Sequence, residues 1–339
     1  MKTLLQIIFV VCVAATTSVA QYIPNSNQAF QFMPVINPAF SGLEGFRDLK
    51  LSYRYQWAGF GNNAPKFINL AYNFRVKEPL DLTLHAIRTN SAPSRRKDDI
   101  PGLKKAIHGL GANLFNERIG PINRTGGGIN YAFHYPITNT VKISAGVSAQ
   151  IDNTKIDLDK LYFGSGPDGT ELDDPFYDRL VSNGSNHTEL NIRAGLLVYS
   201  EKFYAGLTYY PIVNSSLKTS EVTIGDPFYK GSFQVGAAFP LTPTIELKPS
   251  VLGFWQLTNK FSIDYNVKMY IEQKLWFGVT YRDIESFVGI IGFNLNELLG
   301  ASYSYEISSN GMQQFNDGSH ELVLSVRLNN FKRLSPQTW

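Results

Sequence analysis

Five histidines, His85, His108, His134, His187 and His320, are the side chains of this 339-residue chain best suited to moving a proton near neutral pH or to ligating a metal. They are scattered, with no serine, carboxylate or second histidine at the spacing of a hydrolase triad or a metal site. No catalytic residue is assigned, and the sequence is read as that of a non-enzyme. Asp152, Asp157, Asp159, Asp168, Glu171, Asp173 and Asp174, close to Gly164, Gly166 and Gly169, offer hard oxygen ligands of the kind calcium takes. They lack the ordered spacing and terminal glutamate of an EF-hand loop, so a solvated acidic loop is the expectation, with no metal and no cofactor. Gly126-Gly127-Gly128 has no lysine and helix after it to make a phosphate loop, and marks a bend or close packing in a strand. The one cysteine, Cys12, lies in an N-terminal leader, so no disulfide or thiolate site is expected in the rest of the chain.

The elements that would carry these residues are strands. Between positions 261 and 271, Phe261, Ile263, Tyr265, Val267, Met269 and Ile271 alternate with Ser262, Asp264, Asn266 and Lys268. Only a strand, whose side chains switch faces every residue, makes of that spacing an apolar wall backed by a polar one. The same beat occurs at 48–57, 66–76, 107–115, 124–135, 141–151, 188–199, 203–210, 232–239, 245–257, 261–271, 274–281, 286–295, 298–307 and 320–328. These are fourteen strands, an even number, and a further strand at 80–88 would break the parity. Lys2, the apolar run from Leu4 to Ala15 and the small-residue site Ser18-Val19-Ala20 form a signal peptide over 1–20. An exported chain of such strands reads as an all-β transmembrane antiparallel barrel in a bacterial outer membrane. The alternative is a secreted sandwich, against which stand strands of about ten residues where soluble sheets average about five to six. A formal net charge of +3, or +2 without Lys2, gives no reason to expect nucleic acid. Tyr53, Tyr55 and Trp57, with Tyr303 and Tyr305, fall near strand ends, where aromatic girdles meet the headgroups.

Turn lengths orient the barrel, because short turns belong to the periplasmic side and long loops to the outside. The connections 136–140, 200–202, 241–244, 272–273 and 296–297 are short and alternate with the long ones at 152–187, 211–231 and 308–319. Both chain ends are then expected in the periplasm. The long stretch 77–106, with Arg95, Arg96, Lys97, Lys104 and Lys105, falls on the short-turn side, as a solvated insertion or as a contact surface for a periplasmic partner. The chain thus divides into a leader (1–20), an N-terminal segment (21–46), the barrel (47–329) and a C-terminal tail (330–339).

Fourteen strands enclose more space than inward side chains of an eight-stranded barrel fill, so the lumen conducts or holds a plug. Residues 21–45, rich in Asn, Gln, Pro and Phe and without a strand pattern, are the candidate plug, the alternative being a disordered tail. Lys50, Arg54, Gln56, Asn69, Asn73, Arg75, Arg193 and Lys268 are inward positions able to bind it, and His134 faces the lumen as a polar residue.

Asn37-Pro38-Ala39-Phe40-Ser41-Gly42, then Tyr53-Arg54-Tyr55-Gln56-Trp57 with Ala64-Pro65, resembles the opening of PorP/SprF proteins. Asn116-Glu117-Arg118-Ile119-Gly120-Pro121 followed by Tyr131-Ala132-Phe133-His134 is similar to that family's next signature, and Ser319-His320-Glu321 to its close. The resemblance implies an outer-membrane component of the type IX secretion and gliding apparatus. Its implied partners are a secreted surface protein with a C-terminal targeting domain and periplasmic lipoprotein or ring components. The matching residues Asn37, Pro38, Ala39, Phe40, Gly42, Arg54, Gln56, Trp57, Asn116, Gly120, Pro121 and His134 are the candidates for seating the plug or a partner segment. The competing readings are a porin-like or lipid-uptake channel and a plain scaffold.

Overall fold

The computed structural model describes residues 26–76, 106–138, 140–157, 186–218, 229–256, 261–272, 274–283, 286–308 and 317–328. The leader, the strand considered at 80–88, nearly all of the basic stretch, most of the acidic loop and the tail lie outside the described residues.

Fourteen antiparallel staves form the wall: β1 (Arg47–Tyr55), β2 (Lys66–Val76), β3 (Ile107–Ile119), β4 (Ile122–Pro136), β5 (Lys142–Ile156), β6 (Asn186–Tyr199) and β7 (Phe203–Lys218). They continue with β8 (Tyr229–Ala237), β9 (Ile245–Gln256), β10 (Phe261–Ile271), β11 (Leu275–Arg282), β12 (Ser286–Asn294), β13 (Leu299–Ser308) and β14 (Ser319–Leu328). Past Ala237, the two residues Phe239–Pro240 prolong β8 along β9. Each strand pairs with its sequence neighbours, and β14 pairs with β1 from Arg47↔Leu328 to Tyr55↔His320, which closes the sheet. Closure matters because an open edge would leave unpaired amides in hydrocarbon. β2 pairs directly with β3, so the parity does not depend on residues 77–105.

Alternation sorts side chains as the sequence predicts. On β1, Asp48, Lys50, Ser52 and Arg54 are buried while Leu51 and Tyr53 are exposed. On β10 the polar set Ser262, Asp264, Asn266 and Lys268 points in, and Phe261, Tyr265 and Val267 point out. Aromatic rings gather where the outer face ends, with Tyr281 and Phe287 at 5.0 Å and the Tyr303 hydroxyl 2.6 Å from His320 Nδ1.

The wall is taller on one side than the alternation implies. β3 runs to Ile119, where Gly120, at φ 55°, turns the chain straight into β4, and β5 runs to Ile156. β7 reaches Lys218 and β8 begins at Tyr229, so the loops expected at 152–187 and 211–231 are shorter than read. The cause is visible in one outward row, Asn116–Thr125–Asn153–Thr188, aligned across four strands. Asn116 Nδ2 donates to Thr125 Oγ1 at 2.7 Å and Asn153 Nδ2 to Thr188 Oγ1 at 2.7 Å. The row stands above the apolar wall that ends at Leu114 and Ile151, so both faces are polar there and the alternation fades while the pairing continues.

If Val279 faces lipid, an arginine there should cost about 2–4 kcal/mol of stability, and one at Asn116, above the apolar wall, about 1 or less. Unfolding of the two variants in lipid vesicles, followed by heat-modifiable migration, measures the difference.

Candidate functional site: the filled lumen

Residues 26–46 lie inside the barrel, and the chain descends the lumen as it goes. Ser26 and Asn27 sit at the level of Arg282 and Glu321, the ends of β11 and β14 opposite the short turns. Phe46 delivers the chain to Arg47 at the short-turn rim. The chain ends, expected in the periplasm, lie outside the described residues; from Ser26, near the outer mouth, the chain threads inward to the short-turn rim.

Short helical turns compact the segment: a 3-10 turn at Ala29–Phe32, a single α turn at Met33–Ile36 and a 3-10 turn at Pro38–Phe40. Pro34 and Pro38 start the latter two, where a missing N–H costs nothing. Turns this short leave most backbone carbonyls without an internal partner. The wall supplies the donors. Arg282 Nη2 reaches Ser26 O (2.7 Å), Lys50 Nζ reaches Gln31 O (2.7 Å), Asn130 Nδ2 reaches Pro34 O (2.8 Å) and Arg193 Nη1 reaches Val35 O (3.1 Å). Lower down, Ser144 Oγ reaches Ala39 O (2.8 Å), His134 Nε2 reaches Ser41 O (2.8 Å), and Arg75 spans Gly42 O (3.2 Å) and Leu43 O (2.8 Å).

Asn37 is fully buried and ties three strands together, its Nδ2 donating to Leu196 O and Leu207 O (both 3.3 Å) and to Gln234 Oε1 (2.9 Å). Its Oδ1 accepts from the Ala39 N–H at 3.0 Å, which caps the Pro38–Phe40 turn. Phe40 meets Tyr204 edge-on at 5.5 Å, and Phe30 meets Trp276 edge-on at 6.0 Å. Lys268 Nζ sits 3.9 Å from the centroid of the Phe30 ring, a cation on an aromatic face. Close backbone approach needs two bare positions in the wall. A Cβ on Gly109 would overlap the Ser41 carbonyl, and one on Gly146 would overlap the backbone at Pro38 and Ala39.

At the outer end the segment meets buried charge. Arg282, with no exposed surface, bridges Asp264 (3.3 Å) and Glu306 (3.1 Å), and Arg54 pairs with Glu306 at 2.7 Å. Glu321 accepts from Ser26 Oγ (2.7 Å), the Asn27 N–H (2.5 Å) and Ser52 Oγ (2.9 Å). Removing one partner from such a buried cluster strands the other, a loss of about 3–5 kcal/mol.

Asn37, Pro38, Ala39, Phe40, Gly42 and His134 are thus brought into one neighbourhood. With Nε2–H given to Ser41, His134 Nδ1 accepts from the Tyr199 hydroxyl at 3.0 Å, a structural arrangement with no nucleophile in it. The other candidates fall elsewhere. Arg54 belongs to the charge cluster, and Gln56 follows β1 with its N–H on Pro65 O. Trp57, at φ 53°, packs on Phe60, Asn116 faces outward, and Gly120 and Pro121 form a hairpin tip. Of the eight inward positions, Lys50, Arg75 and Arg193 bond the segment and Lys268 packs on it. Gln28, Gln31, Asn130, Ser144 and Arg282 were not singled out in the sequence, for a small polar residue facing a lumen looks the same whether it meets water or chain. Among the described residues no group of three His, Cys, Asp or Glu side chains is placed to hold a metal.

A family model described as type IX secretion system membrane protein PorP/SprF matches residues 18–326. The chain belongs to the PorP/SprF family. No curated protein matches it. Among solved structures, the CymD monoaromatic hydrocarbon channel aligns at 11% identity and TM-score 0.48, covering 91% of this chain and 94% of that one. The Pseudomonas putida toluene transporter TodX aligns at 9% identity and TM-score 0.46, covering 91% and 95%. The outer membrane phospholipase A from Escherichia coli aligns at 8% identity and TM-score 0.36, covering 84% and 92%. This PorP/SprF protein is an outer-membrane β-barrel.

Gly146→Val should drive the Pro38–Phe40 turn off the wall without touching the outer face. The variant is expected to keep its heat-modifiable migration, to expose residues 26–46 to added protease, and to raise conductance in planar bilayers above that of the parent barrel.

Proposed function

We propose that this barrel is a closed docking component of type IX secretion: it seats an exported surface protein at the outer membrane and engages periplasmic lipoprotein or ring components, and it performs no catalysis. The observation that carries the reading is the filled lumen. A segment whose carbonyls are bound one after another from Arg282 to Arg75 leaves a diffusion channel little open cross-section. A rigid, closed wall with tall strands β3–β7 on the outer side suits holding a partner better than passing a solute. Family membership supports placing that partner among secretion components and their substrates. Surface attachment of adhesins and a part in gliding belong to the same reading, with the basic stretch 77–106 as a periplasmic contact.

Mild detergent extraction of the native barrel from its own cells should bring down both an exported surface protein and periplasmic proteins, and the purified barrel should show no steady open conductance. A large steady conductance with no protein partner would overturn the reading in favour of a channel. Periplasmic partners without any exported protein would reduce it to a scaffold.

A further inference from the structure

Where the outer face turns polar, positive charge gathers in one sector of the wall. Lys66 on β2 stands directly opposite Arg118 on β3, Arg118 opposite Asn123 on β4, and Asn123 opposite Lys155 on β5, so the four residues share one outward row. Below the row the same face is apolar and exposed, with Ile68 and Leu70 under Lys66, Leu114 under Arg118 and Ile151 under Lys155. Asn116 Nδ2 donates to Asn123 Oδ1 at 2.9 Å, which leaves Asn123 Nδ2 as a donor within the row. Among the described residues none of the three cations has an ion-pair partner, and Lys66 Nζ instead lies 5.7 Å from the centroid of the Tyr55 ring. The carboxylates that these strands carry, Glu117 and Asp152, are buried, and Asp157 follows the end of β5. Further round the wall the outer ends of β10, β11 and β12 present rings instead, those of Phe261, Tyr281 and Phe287.

We infer that this row is a binding site for the phosphate headgroup of an outer-leaflet lipid, held by Lys66, Arg118 and the Asn123 amide, with Lys155 adding charge beside it and the acyl chains lying on Ile68, Leu70 and Leu114. Like charges directly opposite one another on neighbouring strands destabilise a sheet, and an anion between Lys66 and Arg118 removes that cost. The guanidinium offers a phosphate two parallel N–H donors and the ammonium a point charge. Position decides the source of the anion. The row begins where the apolar wall ends, on the side away from the short turns, so a headgroup reaches it while its chains stay on the wall, as basic clusters at a membrane boundary take anionic lipids. The β3–β4 hairpin closes at Gly120, φ 55°, and β2 is paired along β3, so the backbone holds Arg118 and Lys66 in fixed register before any ligand arrives. The inference does not draw on the docking reading, since a lipid on the outside of β2–β5 leaves the filled lumen untouched.

The test is native mass spectrometry of the purified barrel in a neutral detergent, titrated with phosphorylated lipid A and, in parallel, with the same lipid after removal of its phosphate. Saturable retention of the phosphorylated lipid is expected, and the dephosphorylated form should bind at least about tenfold more weakly, as loss of a charge-assisted bond implies. Lys66→Gln and Arg118→Gln should each weaken retention about tenfold. Lys155→Gln should weaken it by a smaller factor, and Lys274→Gln, an exposed change on the short-turn rim, not at all. Equal retention of the two lipids, or retention unchanged in a Lys66→Gln, Arg118→Gln barrel that keeps its heat-modifiable migration, would overturn the inference. Displacement of the lipid by an equal concentration of inorganic phosphate would reduce the row to an unspecific anion site, and displacement by an aspartate-rich peptide would make it a protein contact; either result defeats the assignment. So would binding that appears only after Asp159, Asp168, Glu171, Asp173 and Asp174 are changed to amides, because the anion on the row would then come from this chain's own acidic loop.

Discussion

Carbonyl groups without partners govern this structure. A segment folded into turns of three and four residues cannot satisfy its own backbone, and inside a lumen it has little water to turn to. The wall answers with side chains that donate: Arg282, Lys50, Asn130, Arg193, Ser144, His134 and Arg75, in order along the segment. The need is mutual. Inward charges on a fourteen-stranded wall would otherwise face a wide aqueous bore, and the segment replaces that water with fixed oxygens and with the ring of Phe30.

The direction of threading has a mechanical consequence. The segment is joined to β1 at the short-turn rim through Phe46, while its far end is clamped by Glu321 and Arg282 at the opposite mouth. Traction from the periplasm would act on the lower end, at Arg75 and His134, and leave the charge cluster for last. The lower contacts are made by half-buried Arg75 and by His134, whereas at the upper end fully buried Arg282 and Glu321 hold Ser26 and Asn27 through charge-assisted bonds that burial strengthens. The two ends of the plug are therefore unequal in strength.

Much of the fold could be read from residue order alone, because alternation reports which face meets lipid. Phe261–Ile271 keeps the bounds that its alternation predicts, and all fourteen strands appear. The strand tops could not be read. At Asn116, Thr125, Asn153 and Thr188 the outer face has already turned polar, so a polar residue there carries no information about pairing. The plug was legible as a segment without a strand pattern, and Lys50, Arg75, Arg193 and Lys268 as its seats. Its course was not, since which carbonyl meets which donor is settled by turns at Pro34 and Pro38 and by the clearance at Gly109 and Gly146, none of which periodicity encodes.

Cross-linking addresses the central claim most directly. A Cβ at Gly195 would stand 2.9 Å from Asn37 Cγ, which places cysteines at these two positions within the Cβ separation of about 3.5–4.5 Å that a disulfide requires. With Cys12 changed to serine, oxidation of an Asn37→Cys, Gly195→Cys barrel in native outer membranes should close the bond in most molecules and leave no thiol for a water-soluble maleimide. Two free thiols, both labelled in a barrel that still migrates as folded, would show the lumen unplugged and contradict the account.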